Sequence, residues 1–350
     1  MTAAPPEPTE VDYAFDRPPE EGRTVEVAPG IHWLRLVLPF ALDHVNVWLL
    51  RDGDGWTLVD AGLADARTRE VWAGLLPGRR VVRVLATHFH PDHMGLAGWL
   101  CAETGAGLWA SRTEWLMGRM LSLDGGAALP AAAAAFYRRA GLEAAALEAL
   151  GRRGNAYRTR VVEPPATYRR LVDGDELTIG GRRWRVVIGR GHAPEHASLF
   201  CPELNLLLAG DQVLPRISPN VSVWASEPEA DPLADFLASL ARFRHLPADC
   251  LVLPSHGRPF TGLLPRIDAL ARHHDERLAR LLAFCAAGPR TIAEAMRHLF
   301  ERELDAHQTT FAVGETLAHL NYLLGRGRLE RRTDAEGRYV YRGLDPAPVR

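Results

Sequence analysis

The stretch Thr87-His88-Phe89-His90-Pro91-Asp92-His93-Met94-Gly95 places three histidines and one carboxylate within six consecutive positions, 88–93. Residues 81–86 ahead of it are apolar apart from Arg83, so they read as a buried strand that ends at the first histidine. Side chains alternate along a strand, which sends His88 and His90 to the same side. Pro91 stops regular extension and turns the chain, and the small and apolar residues 95–100 suit the start of a helix. Asp92 and His93 therefore leave the turn in a direction different from the first pair. Two diverging pairs of imidazole and carboxylate groups on one short loop can serve two cations a few ångströms apart, provided that more distant residues complete each site.

Four further stretches supply such residues, each after an apolar run of strand character. They are Leu58-Val59-Asp60-Ala61-Gly62 upstream, then Gly191-His192, Ala209-Gly210-Asp211 and Pro254-Ser255-His256-Gly257 downstream. In this order and together with His88-x-His90-x-Asp92-His93, the five motifs resemble the signature of the metallo-β-lactamase superfamily of zinc hydrolases, over residues 27–270. The resemblance implies an α/β fold, an αββα sandwich. It implies one metal held by His88, His90 and His192, a second by Asp92, His93 and His256, and Asp211 bridging the two. The implied cofactor is Zn²⁺, two ions per chain, with iron or manganese able to occupy the same ligand set. A hydroxide between the ions would attack the substrate, making Asp92 and Asp211 catalytic, with Asp60 orienting the histidine loop. Drug-hydrolysing members place a cysteine where Asp211 stands, so a β-lactam substrate is not expected. The run Gly191-His192-Ala193-Pro194-Glu195-His196 is also similar to relatives, and it leaves open whether His196 donates a proton or packs.

Length and composition bound the remainder. The chain has 350 residues, is 47% hydrophobic and carries a net charge of −2, enough for a large core and a second, smaller domain. The near-neutral balance argues against a general nucleic-acid or membrane-surface role. All 41 of its Lys and Arg residues are arginine, which codon bias explains more simply than anion recognition. Cys101, Cys201, Cys250 and Cys285 form no C-x-x-C pair and read as reduced thiols of a cytoplasmic protein. Residues 1–24 are rich in Pro and Glu, lack a signal-peptide pattern and read as a loose N-terminal arm; no run is apolar enough to span a membrane.

The expected hydrolase domain spans 25–266. Strands are expected at 25–38, 44–51 and 56–59, and a helix at 65–76. Helices at 113–123 and 130–150 form an insertion, 113–165, which reads as a lid or wall over the metal loop. Trp115, Met117 and Met120 could line an apolar groove there, and Arg138, Arg139, Arg152, Arg153, Arg158 and Arg160 form a basic cluster. From 267 to 350, helices at 267–286, 291–300 and 313–326 followed by strands at 328–332 and 339–342 suggest a winged helix. That arrangement is similar to a branch of the superfamily whose members include a β-lactamase-like endoribonuclease and thioesterase-like proteins. The third helix carries Glu315 and His319 but no arginine before Arg326, and residues 288–350 hold ten Arg against nine Asp plus Glu. This favours a structural or dimerising role, in a homodimer, over nucleic-acid binding.

The implied activity is hydrolysis of a small-molecule acyl ester or thioester, with cleavage of single-stranded RNA as the alternative. The histidines outside the motifs, His44, His274 and His319 among them, read as surface or satisfied core residues.

Overall fold

The computed structural model describes residues 11–126 and 131–344. One seven-stranded sheet runs, in spatial order, β1 (Asp12–Tyr13), β14 (Phe260–Thr261), β13 (Leu251–Pro254), β12 (Leu206–Gly210), β11 (His196–Cys201), β10 (Arg182–Gly189) and β9 (Glu176–Ile179). The other runs β2 (Thr24–Ala28), β3 (Ile31–Val37), β4 (His44–Asp52), β5 (Gly55–Val59), β6 (Val81–Leu85), β7 (Gly107–Ala110) and β8 (Arg169–Arg170). Helices α1 (Ala66–Leu75), α2 (Pro91–Met94), α3 (Ala97–Thr104) and α4 (Arg112–Leu123) fall between strands of the second sheet.

Period-2 alternation explains how these strands bury both faces. From β3 and β4, Trp33, Trp48 and Leu50 join Leu177, Trp184, Val186, Leu199 and Leu208 of the opposite sheet in one core. The alternate residues Leu34, Val45, Val47 and Leu49 instead meet Trp72 of α1 and Leu96, Leu100 and Cys101 around α3. The two sheets thus face each other, with a helical layer outside one of them. At about 1.5–3 kcal/mol per fully buried large apolar side chain, these layers hold the strand ends rigidly.

Parallel pairing decides where those ends lie. β5 pairs parallel with β6, and β12 with β13, so Asp60 and His88 emerge together, as do Asp211 and His256. His192 follows β10 on the same sheet as Asp211.

The chain divides into two compact units. The first comprises residues 1–125, 156–219 and 241–267, and the second 126–155, 220–240 and 268–350. In the second lie α5 (Ala131–Arg139) and α6 (Ala144–Arg153), together with α9 (Ile292–Leu299), α10 (Ala306–Gly325) and a sheet of order β15-β17-β16 (Arg290–Thr291, Tyr339–Gly343, Leu329–Thr333). Helices α7 (Pro232–Phe243) and α8 (Leu263–Ala286) contribute residues to both units. Thr291 caps α9 reciprocally with Glu294, a capping box that defines the start of that helix.

Several expected elements change. The strand expected at 25–38 is two, β2 and β3, because the chain reverses at Pro29-Gly30, with Gly30 at φ 80°. The alanine-rich run is broken into α5 and α6 at Gly141, which takes φ 85°, and residues 127–130 lie outside the described ones. Helix α8 begins at Leu263, four residues before the expected start, since Pro265 near a helix N-terminus loses no internal hydrogen bond. Helix α10 begins at Ala306 rather than 313. Part of the arm expected to be loose is pinned: Asp12 and Tyr13 pair with Thr261 and Phe260, and the Arg258 guanidinium sits 3.9 Å from the Tyr13 ring centroid.

Candidate metal centre

The seven motif residues converge. His88, His90 and His192 form one group, Asp92, His93 and His256 another, and His88, His93 and Asp211 a third, the ligand atoms of each group lying within 4.8 Å of one another. The Nε2 atom of His88 is 2.9 Å from Nδ1 of His90 and 3.2 Å from Nε2 of His192. On the other side, Nε2 of His93 and Nε2 of His256 each lie 3.5 Å from Oδ2 of Asp92. Asp211 belongs to both sides: its carboxylate is 3.6 Å from His93, 3.5 Å from His192 and 3.2 Å from His256.

These spacings fit cations. Four donors held tetrahedrally at zinc bond lengths of about 2.0–2.2 Å stand about 3.3–3.6 Å from each other. Among the described residues, Nε2 of His93 and Oδ1 of Asp211 also find no hydrogen-bond partner although both atoms are buried, whereas buried polar atoms of this kind are normally satisfied. Donors left bare and converging at ligand spacing are what two metal ions would complete, and imidazole with carboxylate suits zinc, iron or manganese.

The rings of His88, His93 and His256 are each aimed by what holds the other nitrogen. Asp60 is buried at φ 65°, a left-handed conformation rarely taken outside glycine, and its backbone N–H donates to the Leu85 carbonyl at the end of β6. So placed, its carboxylate accepts from Thr87 N–H at 2.7 Å, Thr87 Oγ1 at 2.9 Å and His93 Nδ1 at 2.8 Å. Having given its proton to Asp60, Thr87 Oγ1 can accept from His88 Nδ1 at 3.0 Å. His256 Nδ1 donates to the His44 carbonyl at 2.6 Å. In all three rings Nε2 is left to face the site, the usual way in which an outer partner orients a metal-binding histidine.

Electrostatics separates the two sides. Burial and then the neighbouring imidazoles hold His88 well below the ordinary histidine range, so it stays neutral as a ligand must. Burial also opposes charge on His93 and His256, yet the carboxylates around them win and hold both above that range. For Asp92 and Asp211 burial acts against ionisation, but the fields of His93 and His256 overcome it and keep both carboxyls low. Positive charge is favoured between these carboxylates.

His196 packs. Its Nε2 accepts the Asp211 backbone N–H at 3.0 Å, and burial, followed by the charge of His192, pushes its pKa down to about 3. A side chain on Gly210, which takes φ 55°, would collide with this ring. His196 therefore sets the direction in which Asp211 leaves β12, and its lone pair is not free to handle a proton.

Other supports carried no recognisable spacing. The His44 ring accepts the Gly257 N–H at 2.8 Å, and Asn46 Nδ2 donates to the Pro254 and Gly257 carbonyls at 2.8 and 3.0 Å, bracing the loop that bears His256. Glu114 of α4 is wholly buried and accepts the N–H groups of Phe89 and Glu195. Trp115, expected to line a groove, is engaged instead in packing: its ring stacks on Tyr168 at 4.4 Å and its N–H donates to the Pro165 carbonyl.

Comparison with known proteins agrees with this geometry. The family profile of the metallo-beta-lactamase superfamily matches residues 41–256, and that of the metallo-beta-lactamase-like C-terminal domain matches residues 278–344. A solved beta-lactamase domain protein from Burkholderia ambifaria is 46% identical, with a TM-score of 0.89 over 95% of this chain and 98% of its own. A metallo-beta-lactamase family protein from Thermus thermophilus is 34% identical, with a TM-score of 0.77 over 91% of this chain and 100% of its own. Among curated proteins, the linear primary-alkylsulfatase of a Pseudomonas species is 26% identical over 248 residues, 64% of this chain and 44% of that protein. The hydroxyacylglutathione hydrolase of Pseudomonas aeruginosa is 34% identical over 88 residues, 25% of this chain and 33% of that protein. The match thus spans less than half the length of either curated relative. The chain belongs to the metallo-beta-lactamase superfamily and carries a metallo-beta-lactamase-like C-terminal domain.

Proposed function

We propose that this chain is a dinuclear zinc hydrolase acting on a small-molecule acyl ester or thioester. The observation that carries the dinuclear reading is the position of Asp211, whose carboxylate lies within 3.6 Å of His93, His192 and His256 and so reaches both ligand groups at once. When bound, the two ions would supply a water deprotonated near neutral pH and would polarise the substrate oxygen that gains negative charge. His88, His90 and His192 would hold one ion, and Asp92, His93 and His256 the other. Asp60 acts through Thr87 and His93, keeping the rings of the first motif in line. Of the three carboxylates, Asp92 is the most open to solvent, which supports an approach of substrate from its side.

The acyl reading rests on what the arginines do. An RNA substrate needs a continuous basic track, yet three members of the expected basic cluster have local engagements. Arg139 lies over the Tyr339 ring, Arg152 pairs with Glu148 at 2.7 Å and Arg160 lies over Phe40; the Arg153 side chain is outside the described ones. Helix α4, in contrast, exposes Leu116, Met120 and Leu123 along one face, apolar surface on the helix whose buried Glu114 reaches the histidine loop. The hydroxyacylglutathione hydrolase relationship points the same way.

We read α8, α9 and α10 with the sheet β15-β17-β16 as a winged helix. Its third helix turns its polar side chains inward: Glu315 pairs with Arg277 at 3.1 Å, and His319 is buried. Arg326 pairs with Asp231 and lies against the Tyr322 ring. This supports a structural or dimerising role over nucleic-acid binding, and a homodimer in the cytoplasm is the assembly we propose. The test is an activity screen of the zinc-loaded protein over thioesters, carboxylic esters, sulfate esters and single-stranded RNA at two salt concentrations. Turnover of a thioester or ester with weak salt dependence is expected. RNA cleavage that falls steeply with salt, without acyl turnover, would replace this reading with the phosphodiesterase alternative.

A further inference from the structure

Glu114 is an isolated carboxylate in an unusual place. It is wholly buried, and its hydrogen-bond partners among the described residues are two backbone amides: Phe89 N–H at 2.9 Å to Oε2 and Glu195 N–H at 2.6 Å to Oε1. Burying a carboxylate with no cation beside it is costly, and burial, partly offset by those amides, pushes the group up to about 7. The amides it selects are informative. Phe89 lies between His88 and His90, and Glu195 lies three residues after His192.

The contact is reciprocal. Glu195 Oε2 accepts the Thr113 N–H in the first turn of α4 at 2.8 Å, and Ser111 Oγ, just before that helix, donates to the Glu195 carbonyl at 2.7 Å. The other side of the Phe89 peptide is also held, since the Tyr157 hydroxyl donates to the Phe89 carbonyl at 2.6 Å. Helix α4 thereby ties together the two loops that carry the first ligand triad. The loop bearing His256 is braced separately by His44, Asn46 and Arg35, the last donating to the Gly257 carbonyl.

We propose that Glu114 is a positioning residue that sets the separation of His192 from His88 and His90, so that the cation held by this triad depends on it and the cation held by Asp92, His93 and His256 does not. A carboxylate is required because two N–H donors approach its two oxygens. An isosteric amide offers one acceptor and turns an N–H toward the other amide. The proposal rests on the dinuclear reading above.

The test is a Co²⁺ titration of the metal-free full-length chain, followed by the visible absorption of the bound ion and by chelator competition. His192→Ala and His256→Ala mark which binding phase belongs to which triad. Glu114→Gln is expected to weaken the phase removed by His192→Ala by about 10–100-fold and to leave the other phase within about 3-fold, with an altered absorption envelope for the weakened ion. Tyr157→Phe and Ser111→Ala, which spare the buried carboxylate, should weaken the same phase to a smaller extent. They carry the test if Glu114→Gln does not fold. Equal weakening of both phases, or no change in either, would overturn the proposal. A wild-type protein that binds one ion would instead overturn the dinuclear reading.

Discussion

Two buried histidine clusters differ in a way that explains which of them could hold metal ions. In the first unit, five imidazoles converge with Asp92 and Asp211, and bare donors remain at Nε2 of His93 and Oδ1 of Asp211. In the second, His274 and His319 are equally buried, yet they satisfy each other. His274 Nδ1 lies 3.1 Å from His319 Nε2, and His319 Nδ1 donates to the Glu315 carbonyl at 2.7 Å. The carboxylate of Glu315 is committed to Arg277. Burial, with the neighbouring charges adding to it, pushes His274 to about 2, and burial pushes His319 to about 3, whereas carboxylates hold His93 and His256 above the ordinary range. Buried histidine by itself makes a neutral polar core. Carboxylates aimed at the open nitrogens make a cation site.

This contrast is broken most severely at the shared carboxylate. Asp211→Ala should lower turnover by more than about 100-fold and bring zinc content toward one or fewer per chain, since a ligand ought to matter more than the outer partners of ligands do. Elemental analysis beside kinetics checks it, and full retention of two ions would remove Asp211 from its bridging position. Asp60→Ala comes next. It frees Thr87 and His93 without deleting a ligand atom, so turnover should fall about 10–100-fold while zinc content at saturation stays near that of the wild type. Equal loss of metal and activity in this variant would make Asp60 a ligand in effect.

The smallest expected effect lies in the second cluster and has the opposite character. His274 and His319 have pKa values lowered in the folded chain, so the unfolded chain binds more protons and stability falls as the pH drops below about 6.5. Between pH 6.5 and 5 each such group accounts for about 2 kcal/mol. His319→Gln should flatten that decline in denaturant unfolding of the metal-free chain and leave zinc content and turnover unchanged. A variant that loses zinc would erase the distinction between the clusters.

Which residues are legible in the sequence follows from the kind of signal each one leaves. The convergence of the candidate ligands is legible because strand ends, a proline turn and close histidine spacing are local features. The same is true of α1, expected at 65–76 and found at Ala66–Leu75, where Asp65 caps the helix by accepting the Thr68 N–H. Supports that act through the backbone leave no such trace. His44 serves through its carbonyl and Glu114 through two amides remote in sequence, so neither has a partner at a telling spacing. Trp115 reads as a groove residue because an aromatic side chain on an amphipathic helix does not declare whether it meets substrate or, as here, Tyr168 and Pro165. Elements also shift where a glycine at positive φ divides an otherwise continuous pattern, as at Gly30 and Gly141.

Seven converging residues forming two cation sites that share Asp211 are best tested by zinc titration of the metal-free full-length chain, with elemental analysis of the saturated, active protein. Two ions per chain are predicted, with Asp211→Ala impairing both. Saturation at one ion per chain in an active preparation would contradict the account.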